Sequence, residues 1–264
     1  MGEAKDIVLR PIPAKDANEL VKRVHYSGKV VQNSQLHIGV FYRGKLEGAM
    51  QFGPSLDKRK IQGLVSGTLW HEFIELNRMA FSDNLPRNSE SRALSIAMKL
   101  LRKYAPQVKW VVTFADGTQC GDGTIYRAAG FVLTGIKENN QTILLPDGEV
   151  VTRMTLTLVG GDKRSKVLNK LGIDDSGASS IVDVLASGGK IISGFQLRYI
   201  YFIDPTYREK LTVPELPYSE IERRGAGMYK GQPRGRGETD NAPQSNEETG
   251  GASPTRPLLP VIQD

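Results

Sequence analysis

Most of the chain follows one of two hydrophobic patterns, the first typical of helices and the second of strands. Apolar residues recur every three or four positions over 14–25 and 86–106, which predicts two amphipathic helices. A short helix is expected around Tyr126, ending near Gly130. Alternating apolar and polar residues predict strands over 6–12, 34–53 (a hairpin around YRGK), 71–81, 109–115, 131–136, 149–158 and 193–204. This order predicts an α/β (α+β) protein with a mixed central sheet flanked by helices.

Two stretches interrupt this order. Before the last predicted strand, residues 163–190 have the pattern of two short helices, so we expect a helical insertion there. From residue 231 onward Gly, Pro, Ser, Asn, Gln and Glu dominate without periodicity, which predicts a disordered tail. The expected organisation is a core over 1–160, the insertion over 161–193, a returning strand and the end of the core over 194–229, and the tail over 230–264.

Composition and charge limit the classes of protein to which the chain can belong. Of the 264 residues 39% are hydrophobic and 24% are charged, which is typical of a soluble globular protein. No apolar run approaches the roughly 20 residues of a membrane helix, and the first ten residues lack the apolar stretch of a secretory signal. The single cysteine, Cys120, excludes an internal disulfide and fits a cytoplasmic protein. A net charge of +6 permits a nucleic-acid partner without indicating one.

The segment FADGTQCGDGTIYRAAGF, residues 114–131, joins a predicted buried strand to the short helix. Its Asp-Gly pairs are the residues expected in an ordinary β-turn. The segment also follows the carboxyl end of a strand, where open α/β sheets bind their ligands. Asp116 directly follows the apolar strand, and Tyr126 lies one turn into the next helix, so both side chains could face one cleft. Spacing alone leaves both interpretations open.

Other polar residues with the chemistry of an active site have simpler interpretations as well. His25 and Tyr26 follow the first helix, where such a pair usually caps the helix and fills the core edge. Glu75 and Arg78 have the spacing of a surface ion pair, and Ser89 and Glu90 are typical of a helix start. Asp122 is expected to be a turn residue.

Several motifs, taken together and in order, resemble those of the Mom family of phage DNA-modifying proteins. The resemblance covers residues 7–160 and 194–229. The motifs are HYSG, HIGVF, GAMQFG, IELNRMAF, PRNSESRALS, FADGTQCGDGTIYRAAGF and GFQLRYIYFI. The resemblance implies a GNAT-like acyltransferase fold. It also implies an enzyme, cytoplasmic in the phage's host, that converts adenine in DNA to N6-(carbamoylmethyl)adenine and so protects the DNA against restriction.

The resemblance also assigns residues to the expected site. It places the family's His–Tyr pair on His25 and Tyr26, its strand-end aspartate on Asp116 and its tyrosine on Tyr126. We expect Asp116 to act as base, His25 and Tyr26 to position or activate the substrate, and Tyr126 to protonate the leaving group. The family's association with iron makes His25, Tyr26 and Asp116 the candidate ligands, an acceptable N/O set. Cys120 is expected to be structural.

The acyl donor is expected to contact the start of the second long helix. Ser89 and Ser91, with Asn88 beside them, are candidates for donor phosphate contacts, and Arg87 and Arg92 for the nucleic-acid backbone. An acetyl-CoA enzyme normally has a glycine-rich turn here, but SDNLPRNSESRA contains no glycine. The carbamoylmethyl group contains the atoms of a glycyl unit, including a nitrogen that acetyl-CoA lacks. Glycyl-tRNA is therefore the expected donor, with acetyl-CoA as the alternative.

Two other functions remain open from the sequence. One is an acetyl-CoA-dependent N-acetyltransferase acting on a small amine or a protein, and the other is a non-catalytic nucleic-acid-binding protein. DNA is the expected substrate, and tRNA is a further candidate partner. No membrane partner is expected. The oligomeric state is left open, with a homodimer as one candidate, and the insertion fits DNA clamping and a dimer contact equally well.

Overall fold

The protein is described by a computed structural model over residues 3–25, 27–117, 121–157, 162–175, 180–229 and 232–233. The expected tail therefore lies almost entirely outside the described residues, as do Tyr26 and Cys120.

Strands and helices follow one another in the predicted order over the core. The strands are β1 Val8–Pro11, β2 Leu36–Tyr42, β3 Lys45–Gly53, β4 Phe73–Phe81, β5 Trp110–Asp116, β6 Val132–Leu144, β7 Val150–Thr152, β8 Lys190–Phe202, β9 Met228–Tyr229 and β10 Gln232–Pro233. The α-helices are α1 Ala14–Val24, α2 Lys58–Gln62, α3 Ser89–Tyr104, α4 Thr124–Ala128, α5 Arg153–Thr157, α6 Asp162–Lys170, α7 Ser180–Ala186 and α8 Ser219–Arg223. Two 3-10 helices span Glu3–Asp6 and Pro205–Lys210.

The first eight strands form one mixed sheet. Their order across the sheet is β1-β2-β3-β4-β5-β8-β6-β7. β4 and β5 are parallel, and the other neighbouring pairs are antiparallel. The parallel pair requires a crossover, which α3 provides. This arrangement confirms the expected mixed central sheet flanked by helices.

The two long helices cover opposite faces of this sheet. In α1, Ala17 and Leu20 are buried against Ala49 of β3, whereas α3 packs in the cluster that contains the adjacent Met50. Because successive residues of a strand point to opposite faces, α1 and α3 must lie on opposite sides. The buried residues of α3 include the predicted set Leu94, Ala97, Met98 and Leu101. No helix in the described ranges is long and apolar enough to cross a bilayer.

The predicted strand over 149–158 is wrong in its second half, because only Val150–Thr152 is a strand. The chain then turns into α5, and the Thr152 hydroxyl accepts a hydrogen bond from the Thr155 N–H at 3.3 Å. β6 is longer than predicted and pairs with β8 as far as Leu144, so β6 itself occupies the edge of β8. The short β7 pairs with the outer edge of β6.

The segment between β6 and β8 has a small core of its own. This cluster joins the end of β6 and β7 to the three helices α5, α6 and α7. Its fully buried Arg164 forms an ion pair with Asp175, with 2.8 Å between Nε and Oδ1. The predicted pair of helices is therefore present as α6 and α7. The remaining domain boundaries stay a proposal. The members of the cluster are Ile143, Leu145, Val151, Leu156, Val167, Leu168 and Val184.

Candidate active site

The two parallel strands at the centre of the sheet separate before they end. The ladder between β4 and β5 stops at the pair Leu76–Thr113. The hydroxyl of Thr113 donates to the Leu76 carbonyl at this point, at 3.3 Å. β4 nevertheless continues to Phe81 and β5 to Asp116. Beyond the last pair, the facing edges of the two strands leave a space that a ligand can enter.

A cavity of about 210 Å³ lies where the strands separate, and we call it the splay cavity. Residues of β4, β5, α4 and the end of α1 surround it. It brings together three residues that the sequence assigns to the site, His25, Asp116 and Tyr126. Tyr26 is outside the described residues. The full lining is His25, Leu76, Asn77, Arg78, Met79, Thr113, Phe114, Ala115, Asp116, Gly123, Ile125 and Tyr126.

His25 is held as a neutral imidazole with a defined tautomer. It terminates α1, and its Nδ1 lies 3.2 Å from the backbone N–H of Ser27 and 2.9 Å from the Ser27 hydroxyl. A backbone N–H can only donate, so Nδ1 is an acceptor and carries no proton. Burial, followed by the positive charge of Arg78, lowers the pKa of His25 to about 4. At neutral pH the single proton of the ring is therefore on Nε2, which makes His25 a hydrogen-bond donor.

Asp116 supplies the carboxylate of the splay cavity. It is the last residue of β5 and pairs across the sheet with Gln196 of β8. The strand fixes its backbone, whereas its partly exposed side chain also borders a smaller neighbouring cavity. An ionised carboxylate only accepts hydrogen bonds. Asp116 and His25 therefore have complementary roles, as acceptor and donor.

Tyr126 is a largely buried member of the cavity wall. Its ring packs between Phe131 and Tyr199, with ring centroids 5.7 Å and 5.5 Å away. These contacts fix the plane of the ring, so the phenol has a defined position relative to the cavity. The expectation that Asp116 and Tyr126 face one cleft agrees with their place in the same lining.

Asp122 organises the turn before α4. Its Oδ1 accepts from the Thr124 N–H at 3.1 Å and from the Thr124 hydroxyl at 2.7 Å. Its other oxygen forms an ion pair with Arg127, and its carbonyl accepts from the hydroxyl of Tyr199. Asp122 is thus a turn residue, as the sequence predicts, and its carboxylate is used in holding α4 in place.

Gly123 is required by the close approach of two aromatic rings. Its φ is +74°, and a Cβ there would lie 2.7 Å from Cε2 of Tyr199 and 3.1 Å from Cδ2 of Tyr126. We expect Gly123→Ala to reduce the free energy of unfolding by about 2–4 kcal/mol, because it combines a left-handed backbone with overpacking. Urea denaturation measures this change.

A glycine that shares the backbone conformation but not the contacts provides the control. Gly148 has φ +86° and no heavy atom within 4 Å of its ideal Cβ. Gly148→Ala is expected to cost only about 1–2 kcal/mol, from backbone strain alone. Equal losses in the two variants would show that the aromatic contacts of Gly123 contribute nothing.

The start of α3 lies outside the splay cavity, since none of the five residues assigned to the donor or to the nucleic-acid backbone belongs to its lining. Asn88 adopts the left-handed conformation at the N-cap, without a side-chain cap bond. Ser89 is fully buried, and its hydroxyl donates to the Pro86 carbonyl at 2.6 Å. The side chain of Ser89 is therefore unsuited to the expected phosphate contact, because no solvent reaches it. Contacts from Arg87, Asn88, Ser91 and Arg92 stay a prediction.

The expected iron site stays a prediction, because one of its three candidate ligands, Tyr26, lies outside the described residues. The residues that the structure describes contain no group of three His, Cys, Asp or Glu side chains close enough to hold a metal ion. His25 and Asp116 share the cavity, but a histidine that binds a metal through Nε2 needs its proton on Nδ1. That nitrogen instead accepts from the Ser27 N–H. No step below is therefore assigned to a metal.

Arg78 and Thr113 line the cavity, although the sequence alone gives neither of them a role in the site. Arg78 is not simply half of a surface ion pair, because its Nε donates to the Lys29 carbonyl at 3.1 Å and its Nη1 to the Asn77 carbonyl at 3.0 Å. It thereby links β4 to the loop after α1. Thr113 was counted only as part of an apolar strand. The polar threonine in that strand was the available signal, but nothing in the pattern shows where the ladder ends.

Two acetyltransferases are among the solved structures to which the chain is similar. An IAA acetyltransferase from Bacillus cereus ATCC 14579 is 11% identical, with a TM-score of 0.40, covering 74% of this chain and 99% of the other. The ribosomal-protein-S18-alanine N-acetyltransferase from Escherichia coli is 11% identical, with a TM-score of 0.41, covering 75% of this chain and 94% of the other.

Comparison of sequences identifies the family. The protein named methylcarbamoylase mom, from Escherichia phage Mu, is 37% identical over 163 residues. The match covers 61% of this chain and 66% of the phage Mu protein, just under two thirds of its length. The model of the Mom protein family matches residues 6–220, which include all the described residues of the splay cavity. The chain therefore belongs to the Mom protein family.

Proposed function

We propose that this protein is a transferase that modifies adenine in DNA, giving N6-(carbamoylmethyl)adenine. The observation that carries the proposal is the convergence of His25, Asp116 and Tyr126 on the splay cavity of a Mom family chain. The phage Mu relative is named a methylcarbamoylase, which agrees with the expectation of an enzyme. A modification of this kind would protect phage DNA against restriction in the host cytoplasm.

The first step needs an adenine outside the double helix. Inside a duplex N6 is paired with thymine and the purine ring is stacked between its neighbours, so the target nucleotide must be flipped into the splay cavity. N6 is a weak nucleophile, and its attack on an acyl carbon requires removal of a proton. Asp116 accepts that proton, while Nε2–H of His25 donates to the acyl oxygen as negative charge develops there. Tyr126 donates a proton to the leaving group.

We propose a glycyl unit as the acyl group, carried as the ester of glycyl-tRNA. The N6–carbonyl bond forms as the ester C–O bond breaks, and the tRNA hydroxyl leaves with the proton from Tyr126. Asp116 holds the proton from N6 and returns it to Tyr126. The free glycyl amine then attacks C6 through a five-membered ring. Cleavage of the original C6–N6 bond leaves –NH–CH2–CO–NH2 on the purine, so that this second stage is an isomerisation.

The structure favours this donor over acetyl-CoA in one respect. The connection from β4 to α3 contains no glycine, and its left-handed residue is Asn88. A glycine-rich turn, whose N–H groups would surround a pyrophosphate, is therefore missing between Ser82 and Ser89.

Isotope-labelled glycine tests both the function and the donor. Cells expressing the chain are fed glycine labelled in both carbons and the nitrogen, and nucleosides from their DNA are analysed by mass spectrometry. Because glycine also labels the purine ring during biosynthesis, we expect a modified deoxyadenosine that carries three labelled atoms more than the unmodified deoxyadenosine of the same DNA, with the additional labelled nitrogen attached to C6. Cells with the empty vector serve as the control.

Two outcomes would contradict the proposal at different points. A modified deoxyadenosine without the glycine nitrogen would rule out the glycyl donor and leave the DNA-modifying activity intact. The activity itself would be ruled out if adenine stayed unmodified in cells that contain both the soluble protein and the host's glycyl-tRNA. An N-acetyltransferase would instead acetylate amines when supplied with acetyl-CoA alone.

A further inference from the structure

A second cavity, of about 140 Å³, adjoins the splay cavity and shares Asp116 with it. We call it the side cavity. Its walls come from the core and from the segment between β6 and β8. The residues are Ser27, Lys29, Asp116, Thr142, Val150, Val151, Thr152, Thr155 and Lys163. None of these described lining residues is aromatic, so the side cavity offers no surface on which a base could stack.

Hydroxyl groups and ammonium groups dominate the polar lining of the side cavity. Thr142 and Thr155 are buried, and the Thr155 hydroxyl accepts from Nζ of Lys29 at 2.8 Å. The same hydroxyl lies 3.0 Å from that of Thr152. These contacts tie the loop after α1 to the start of α5. They also place the ammonium group of Lys29, an otherwise exposed residue, at the wall of the side cavity.

Three positive groups are concentrated at this position. Arg78 donates to the backbone carbonyl of Lys29, and Lys163 belongs to the same lining as Lys29. Burial lowers the pKa of Lys29 first, and the nearby charges of Lys163 and Arg78 lower it further. Lys163 also contacts Glu149 at 3.8 Å, but both side chains are well exposed, so this pair is weak. Asp116 supplies the carboxylate of the lining.

Donors of this kind suit a phosphate diester. Lysine ammonium groups and hydroxyls are common partners of backbone phosphates, and a second anion would relieve the repulsion among the three cations. The position of the side cavity favours DNA as the source of this phosphate. Asp116 borders both cavities, so the phosphate nearest to an adenine in the splay cavity belongs to the nucleotide being modified or to its neighbour.

We propose that the side cavity binds a backbone phosphate of the DNA substrate beside the flipped adenine, through Lys29 and Lys163. This inference rests on the proposed function, because it takes DNA as the substrate. It also gives the segment between β6 and β8 a role. That segment carries Lys163, Thr152 and Thr155, which line the side cavity.

Salt dependence of DNA binding tests this contact. Affinity for an adenine-containing duplex oligonucleotide is measured by fluorescence anisotropy over a series of salt concentrations. Lys29→Gln and Lys163→Gln are each expected to reduce the slope of log K against log salt by about 0.9, the loss of one phosphate contact. Lys166→Gln is the matched control, because Lys166 is an exposed residue of the same helix that does not line the side cavity. Its slope is expected to equal that of the unmodified protein.

Uncharged methylphosphonate linkages in the DNA identify which backbone phosphate the side cavity binds. Single methylphosphonates are placed in turn at the linkages around the target adenine. The wild-type protein is expected to lose affinity most at one linkage adjacent to the adenine, and Lys163→Gln to lose little at that same linkage. An equal loss in both proteins at every linkage would overturn the proposal.

A second arm separates DNA from tRNA as the source of the phosphate. Binding of unacylated tRNA is measured with the same variants. Weaker tRNA binding together with an unchanged DNA slope would overturn the proposal. Failure of the proposed function is distinguishable, because anisotropy measures binding without turnover, whereas loss of the activity is measured by the modified nucleoside.

Discussion

Replacement of Asp116 by Asn is expected to reduce the rate of adenine modification by about 10²- to 10⁴-fold. An amide has nearly the size of the carboxylate but cannot take the proton from N6. Asp116 ends β5 and pairs with Gln196, so the strand that positions it does not depend on its charge. The modified deoxyadenosine is quantified by mass spectrometry under single-turnover conditions, with equal amounts of folded protein.

A carboxylate away from the cavity provides the control. Asp83 is exposed in the connection between β4 and α3, and it does not line the splay cavity. Asp83→Asn has the same change of charge and is expected to keep the wild-type rate. If Asp116→Asn retained more than half of that rate, proton removal by this carboxylate would be rejected.

The stability of the protein is expected to fall in mild acid because of His25. Its pKa is about 4 in the folded protein, against 6.5 for an ordinary histidine. The contribution of the neutral ring is fully present above pH 6.5. It is lost as the pH falls towards 4, because the unfolded chain takes up a proton that the folded protein does not. The difference in pKa corresponds to about 3 kcal/mol.

The variant His25→Asn isolates this effect. The asparagine carbonyl replaces Nδ1 as acceptor for the Ser27 N–H and does not titrate. Urea denaturation of both proteins is measured at several values between pH 4 and pH 7, and the two free energies are subtracted. We expect the difference to change by about 3 kcal/mol across this range. Parallel curves would show that His25 is not held neutral by its surroundings.

Much of the fold could be predicted because local patterns decide it. The apolar stripes of α1 and α3 and the alternation in β2 to β5 follow directly from which side chains meet the core. The predicted strand over 149–158 failed because VVTRMTLT fits a strand and a short amphipathic helix equally well. Strand pairing decides between the two structures. Because β6 occupies the edge of β8, only three residues of β7 find a partner strand.

The site could be predicted only in part. A strand end followed by a turn indicates where Asp116 lies, and helix spacing indicates Tyr126. The remaining features depend on contacts between distant segments. The left-handed Asn88 and the buried Ser89 hydroxyl depend on how the turn before α3 folds. The role of Arg78 depends on the Lys29 carbonyl, which lies 49 residues away in the chain. Neither feature leaves a periodic signal.

The separation of β4 from β5 has a mechanical consequence for the whole sheet. Only four residue pairs join the half containing β1 to β4 with the half containing β5 to β8. Backbone hydrogen bonding between these two halves is therefore confined to this short ladder, which forms a seam across the sheet. A substrate bound between the two strands would contact both halves of the sheet and hold them together across the seam. Substrate binding should therefore slow amide hydrogen exchange in β4 and β5 more than in the outer strands.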